Sequence, residues 1–164
     1  SIYLKVIRGK TAALFSAATE VGGVIAGASE DVVAALRNYG DALGIAFQIV
    51  DDVLDYGGTS AVIGKNTGDD FRERKLTLPV IHAVANSNSE ERAFWERAIE
   101  RGDQRDGDLD RAMAILAAHG SIVYARDSAL AWARRAKAAL HNLTANNLRA
   151  TLLELADFVV ERVA

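Results

Sequence analysis

The chain has 164 residues, half of them hydrophobic and a quarter charged, with 19 Lys and Arg against 22 Asp and Glu for a formal net charge of −3. This composition excludes a disordered tail and a polycationic nucleic-acid binder, and the absence of cysteine excludes disulfides, thiolate zinc sites and Cys nucleophiles. The longest nearly unbroken apolar stretch, Val21–Ala28, is far shorter than the ~18 residues of a membrane span, so no transmembrane segment is expected. No charged-then-apolar leader precedes the body of the chain, which makes a cytoplasmic protein, or a piece of one, the expectation. A single proline, Pro79, beside abundant Ala, Leu and Val leaves little turn punctuation and points to an all-α protein.

Residues 2–28 read as a helix bent around Gly22-Gly23. Ser29 caps a second helix, with Glu30 and Asp31 against its N-terminal dipole. Val32, Leu36, Tyr39, Leu43, Phe47, Val50 and Leu54 then recur every three or four residues, one amphipathic face running to Gly57-Gly58. Residues 57–70, rich in glycine and small polar groups, read as a loop of a length that is more often functional or mobile than accidental. Further helices are expected over 76–85 with Pro79 in the first turn, over 89–101, over 109–119 and over 121–143, with a last one carrying Leu148, Leu152, Leu155 and Val159. No repeat or interdomain linker interrupts them, so residues 1–164 are expected to form one all-helical bundle domain.

Charge is unevenly placed. Between Arg37 and Lys65 there is no basic residue, yet Asp41, Asp51, Asp52 and Asp55 give that interval −4. Asp51 and Asp55 stack one turn apart with Asp52 beside them, an arrangement that opposes the helix it sits in. Taken alone, such a group belongs more often to a solvated face. Gln48 and Gly44, one and two turns earlier, suggest a cleft wall instead, and Mg²⁺ is the natural compensating ion because it takes one or two carboxylates plus substrate phosphates. Complementary cations lie at Lys5, Arg8 and Lys10 and at Lys65, Arg72, Arg74 and Lys75. Gly9-Lys10-Thr11 is not a P-loop, since the required first glycine falls at Leu4 and no strand precedes it. His82, His119 and His141 are too scattered for a helical zinc pair.

Lys10-Thr11-Ala12, the run from Gly44 through Gln48 to Asp51-Asp52-Val-Leu-Asp55, Gly64-Lys65-Asn-Thr-Gly68-Asp-Asp70 and Arg72-Glu-Arg-Lys75-Leu-Thr-Leu-Pro79 occur in this order. Together with the ending Leu155–Arg162 they resemble the C-terminal half of a trans-type polyprenyl diphosphate synthase, in the style of long-chain octaprenyl or decaprenyl enzymes that make quinone side chains. The resemblance covers essentially the whole chain and implies the C-terminal part of an isoprenoid synthase fold. It implies a transferase of isoprenoid biosynthesis: an allylic diphosphate ionises, isopentenyl diphosphate attacks the carbocation, and a proton is lost. It further implies Mg²⁺ held by Asp51, Asp52 and Asp55, with Asp51 foremost. Lys10, Lys65 and Lys75 would hold the allylic diphosphate, and Thr11 and Gln48 would lie beside the cationic carbon. Catalytic roles accordingly fall to Lys10, Thr11 and Gln48.

The departures from the family pattern are specific. Only one of the family's two aspartate-rich motifs is present, as is none of the basic N-terminal region that grips isopentenyl diphosphate. Asn66 stands where proline is usual and Arg74 where glycine is usual. The expectation is a prenyltransferase portion, inactive as an isolated chain, whose partners are the two diphosphate substrates, a missing N-terminal half or companion chain, and a second subunit in a homodimer or heteromer. The alternative is a non-catalytic partner subunit or dimerisation module of a prenyl synthase. Another terpenoid enzyme on the same fold fits less well, because Lys10-Thr11 and the Gly64-Lys65 loop suit chain elongation.

Overall fold

The computed structural model describes residues 1–57 and 67–163, and among them every regular element is helical. The elements are α1 (Ile2–Ile7), a π turn (Arg8–Ala12), α2 (Ala13–Ile25), α3 (Glu30–Gly57), α4 (Asp69–Arg72), α5 (Leu78–Asn86), α6 (Ser89–Trp95), a second π turn (Glu96–Glu100), α7 (Asp108–Ala118), α8 (Ser121–Ala139) and α9 (Asn147–Glu161). The all-α expectation is met. Among the described residues no helix is long and apolar enough to cross a membrane.

The sequence-based boundaries mostly hold, because they rest on caps. The Ser29 carbonyl accepts the Val33 N–H at 3.0 Å and opens α3. Pro79 lies in the first turn of α5, where its missing N–H costs nothing. Asn88 and Glu91 exchange a reciprocal capping box at the start of α6. The expected irregularity at Gly22-Gly23 is displaced: those glycines continue α2, and the break in α-helical hydrogen bonding comes at Arg8–Ala12. The expected loop contains α4 at its end, while residues 58–66, with Gly64, Lys65 and Asn66, lie outside the described residues.

The chain divides into two units, Ser1–Val50 with residues from Asp127 on, and Asp51–Arg126. In the first, α3 contributes Tyr39, Leu43, Ile45 and Ile49, all nearly inaccessible to solvent, and α8 and α9 contribute small residues such as Ala129, Ala133 and Ala156. Apolar burial of this kind is the main favourable term in folding. The Tyr39 hydroxyl donates to the Leu152 carbonyl at 2.7 Å, and burial pushes its pKa up to about 12. The second unit is built on aromatics. Phe71 stacks on Phe94 with centroids 6.5 Å apart, and Trp95 meets Phe94 edge-on at 5.0 Å. Around them Arg97 grips Asp108 bidentately at 2.8 and 2.7 Å.

Arg74 adopts φ 59°, the left-handed region that a side chain enters at a cost of roughly 1–2 kcal/mol. That conformation explains why glycine suits the position, and Arg74 lays its guanidinium over Gly102 there.

Candidate functional site

In the first unit two of the expected site residues, Lys10 and Thr11, sit on the π turn. Such turns insert an extra residue into the helix and are frequent at functional sites. The turn leaves Lys10 exposed and half-buries Thr11, whose hydroxyl donates to Gln48 Oε1 at 2.8 Å. Gln48 is 8% exposed, so its amide is held rather than solvated. What lets the turn reach α3 is Gly44: a Cβ there would stand 2.6 Å from Ala12 Cα and 3.1 Å from Phe15 Cβ. Gly44 is therefore a close-packing position, not the cleft wall that the sequence suggested. With its proton directed at Gln48, the Thr11 oxygen is left as an acceptor.

Arg8 does not join the basic group. It forms a bidentate pair with Asp41 at 2.8 and 3.0 Å, and that hydrogen-bonded carboxylate raises its pKa. Two of the charges counted in the uneven pattern thus neutralise each other.

In the second unit the acids are engaged by backbone. Asp52 is 4% exposed, and its Oδ2 accepts the Leu78 N–H, the first of α5, at 3.4 Å. Asp55 Oδ2 accepts the Asp70 N–H at 3.0 Å, and the Asp55 carbonyl accepts the Gly68 N–H at 2.9 Å. Gly68, at φ 84°, makes the turn that brings α4 to Asp55. Asp51 is half-buried. Burial pushes the Asp55 carboxyl above its usual range; the Asp70 N–H opposes that shift, and the charges of Asp70 and Asp69 reinforce it.

Lys75 is engaged as well. Its ammonium meets Glu73 at 2.6 Å and Asp70 at 3.0 Å, which raises its pKa, and a diphosphate would compete with both carboxylates for it. Among the described residues no group of three or more Asp, Glu or His is gathered closely enough to hold an ion unaided. The donor set nevertheless fits Mg²⁺: all its ligands are oxygens, and this ion needs only one or two carboxylates when a phosphate supplies the rest. Sequence reasoning missed Asp69 and Asp70 as members of this charge group. Their signal was present in Gly68-Asp-Asp70, but the contact with Asp55 is long-range.

The polyprenyl synthetase family model matches residues 1–116. The octaprenyl diphosphate synthase of Haemophilus influenzae is 41% identical over 160 residues, covering 98% of this chain and 48% of that protein. The Escherichia coli octaprenyl diphosphate synthase is 39% identical over 160 residues, covering 98% and 49%. Among solved structures, a decaprenyl diphosphate synthase from Rhodobacter capsulatus matches with TM-score 0.94 and 67% identity over 99% of this chain and 50% of that one. A polyprenyl synthase from Caulobacter crescentus, complexed with calcium and isoprenyl diphosphate, matches with TM-score 0.92 and 50% identity over 99% and 50%. The chain thus spans about half the length of the curated relatives it matches. On the motifs, the all-helical fold and these matches, the chain belongs to the polyprenyl synthetase family.

Proposed function

We propose that this chain is the C-terminal half of a polyprenyl diphosphate synthase domain, a Mg²⁺-dependent cytoplasmic prenyltransferase that condenses isopentenyl diphosphate onto an allylic diphosphate and works as a homodimer or heteromer. The observation that carries the reading is the acidic end of α3, where Asp51 and Asp55 stand about one turn apart with Asp52 beside them and Asp55 Oδ2 accepts the Asp70 N–H at 3.0 Å. The calcium and isoprenyl diphosphate bound by the Caulobacter crescentus relative support it.

In this reading Asp51 and Asp55 hold Mg²⁺, with Asp52 beside them. When bound, the ion supplies Lewis-acid neutralisation of the departing diphosphate. Lys10 and Lys65 pair with the diphosphate oxygens, and Lys75 does so by exchanging its carboxylate partners for phosphate. As the allylic C–O bond breaks, the electron pair leaves with the diphosphate. The Thr11 oxygen, oriented by its bond to Gln48, offers lone pairs toward positive charge on carbon. A neutral hydroxyl stabilises that charge without the reactivity of a carboxylate.

The test is substitution in an enzyme completed with the other half of the domain. Replacing both Asp51 and Asp52 by Ala is expected to lower condensation by orders of magnitude. If full activity survived, the chain would instead be the non-catalytic partner or dimerisation module.

A further inference from the structure

α2 carries no side chain at Gly22 and Gly23, and both glycines border a cavity of about 400 Å³ within the first unit. It is lined by the second half of α2, the start of α3 and the connection from α8 into α9, and Val32, Leu36, Leu143 and Leu152 make its wall mostly apolar. A Cβ at Gly22 would meet no atom within 4 Å, so a side chain added there enters open space. The volume lies in the range of small-molecule pockets. One charged residue lines the cavity, Arg149, and among the described residues no acid does. Arg149 stands in the first turn of α9, where the helix dipole disfavours a cation. Its Nη2 donates to the His141 carbonyl at 3.2 Å, while its buried Nε has no hydrogen-bond partner. Buried N–H groups are ordinarily bonded and desolvated charges paired, and the described chain supplies Arg149 with no carboxylate. The Thr19 hydroxyl, also on the wall, is spent on the Leu36 carbonyl at 2.7 Å.

We propose that this cavity binds a medium-chain fatty acid, with the carboxylate on Arg149 and the tail along the apolar wall between α2 and α3. A single guanidinium matches a singly charged head group and pairs with a carboxylate through parallel N–H···O bonds. A diphosphate would bring further negative charge, for which the wall has no second cation. At roughly 30 Å³ for each carbon-sized group, the volume admits about a dozen of them, the size of decanoate. None of Lys10, Thr11, Gln48 or the acids of α3 lines the cavity, so the site does not depend on the function proposed above.

Calorimetric titration of the full chain with sodium decanoate, without metal or diphosphate, tests the site directly. Binding should saturate at one decanoate per chain. Octanoate should bind about 15-fold more weakly, at about fourfold for each methylene removed. Arg149→Met should lower decanoate affinity about tenfold or more and leave the affinity for decanol unchanged. Gly22→Leu, which places a side chain in the cavity and favours the helix over glycine, should abolish binding of both without lowering the melting midpoint. It also decides the matter if Arg149→Met does not fold. Absence of saturable decanoate binding to the parent chain would overturn the proposal, as would unchanged decanoate affinity in Gly22→Leu or in folded Arg149→Met, which marks adsorption elsewhere. Tighter binding of a ten-carbon allylic diphosphate in competition with decanoate would overturn it too, by assigning the cavity to a diphosphate. If the completed enzyme condenses nothing, the proposed function fails while the titration still decides the fatty-acid site.

Discussion

In the first unit the Thr11–Gln48 pair is set by how closely two stretches of helix approach, across Gly44 and Ala12. In the second, Asp52 and Asp55 are set by backbone N–H groups that α5 and α4 deliver to them. The first arrangement depends on volume and the second on charge and hydrogen bonding, so an added methyl group should matter most in the first and a removed charge in the second.

Adding one methyl group should have the largest effect on stability. Ala is favoured over Gly inside a helix by up to ~1 kcal/mol, yet at Gly44 the new carbon meets Ala12 backbone at 2.6 Å. Gly44→Ala should therefore destabilise by about 1–3 kcal/mol, read as a lowered urea midpoint. A neutral result would break the contrast between the units.

Charge removal should act through pH in the second unit. The Arg97 guanidinium holds the Asp108 carboxyl below its usual value of 3.8. Its stabilising contribution is thus complete above the unfolded value, near pH 4, and is lost as pH falls through the lower folded value. Asp108→Asn should lower stability at neutral pH and flatten its dependence below pH 4, as followed by thermal midpoints across pH.

Asp55 has the opposite sign. With its folded pKa raised, the native state binds more protons than the unfolded chain just above pH 3.8, so its contribution declines as pH rises through that window. Asp55→Asn keeps an oxygen for the Asp70 N–H and removes the cost of burying the charge, together with the repulsion from Asp70 and Asp69. The variant should melt slightly higher at pH 7 while losing Mg²⁺-dependent activity in the completed enzyme. A lower melting point would mean that the charge is already compensated. The smallest effect is expected at Arg74→Gly, where relief of the φ 59° strain is offset by chain entropy and lost packing over Gly102, a net gain below about 1 kcal/mol in denaturant unfolding.

What was legible in the sequence was local. Ser29, Pro79 and the glycines near helix ends mark boundaries because capping depends on neighbours within one turn. The π turn at Arg8–Ala12 was not legible, since the packing of Ala12 against Gly44 lies 32 positions away in sequence, and the bend was expected at Gly22-Gly23 instead. The site divides in the same way. Asp51, Asp52 and Asp55 stand out as like charges on one helix, whereas Arg8 with Asp41, and Asp55 with Asp70, are pairings that only the fold creates. Lys75 stood out as a cation in a basic segment, but its carboxylate neighbours had to be seen to know that it is occupied.

The central claim is that this chain carries half of a condensing site, and one assay addresses it most directly. Incorporation of isopentenyl diphosphate into an allylic diphosphate, with Mg²⁺ present, should be undetectable with the 164-residue chain alone and appear when it is joined to the other half of the domain. Condensation by the chain alone, or none by the joined protein, would contradict the account.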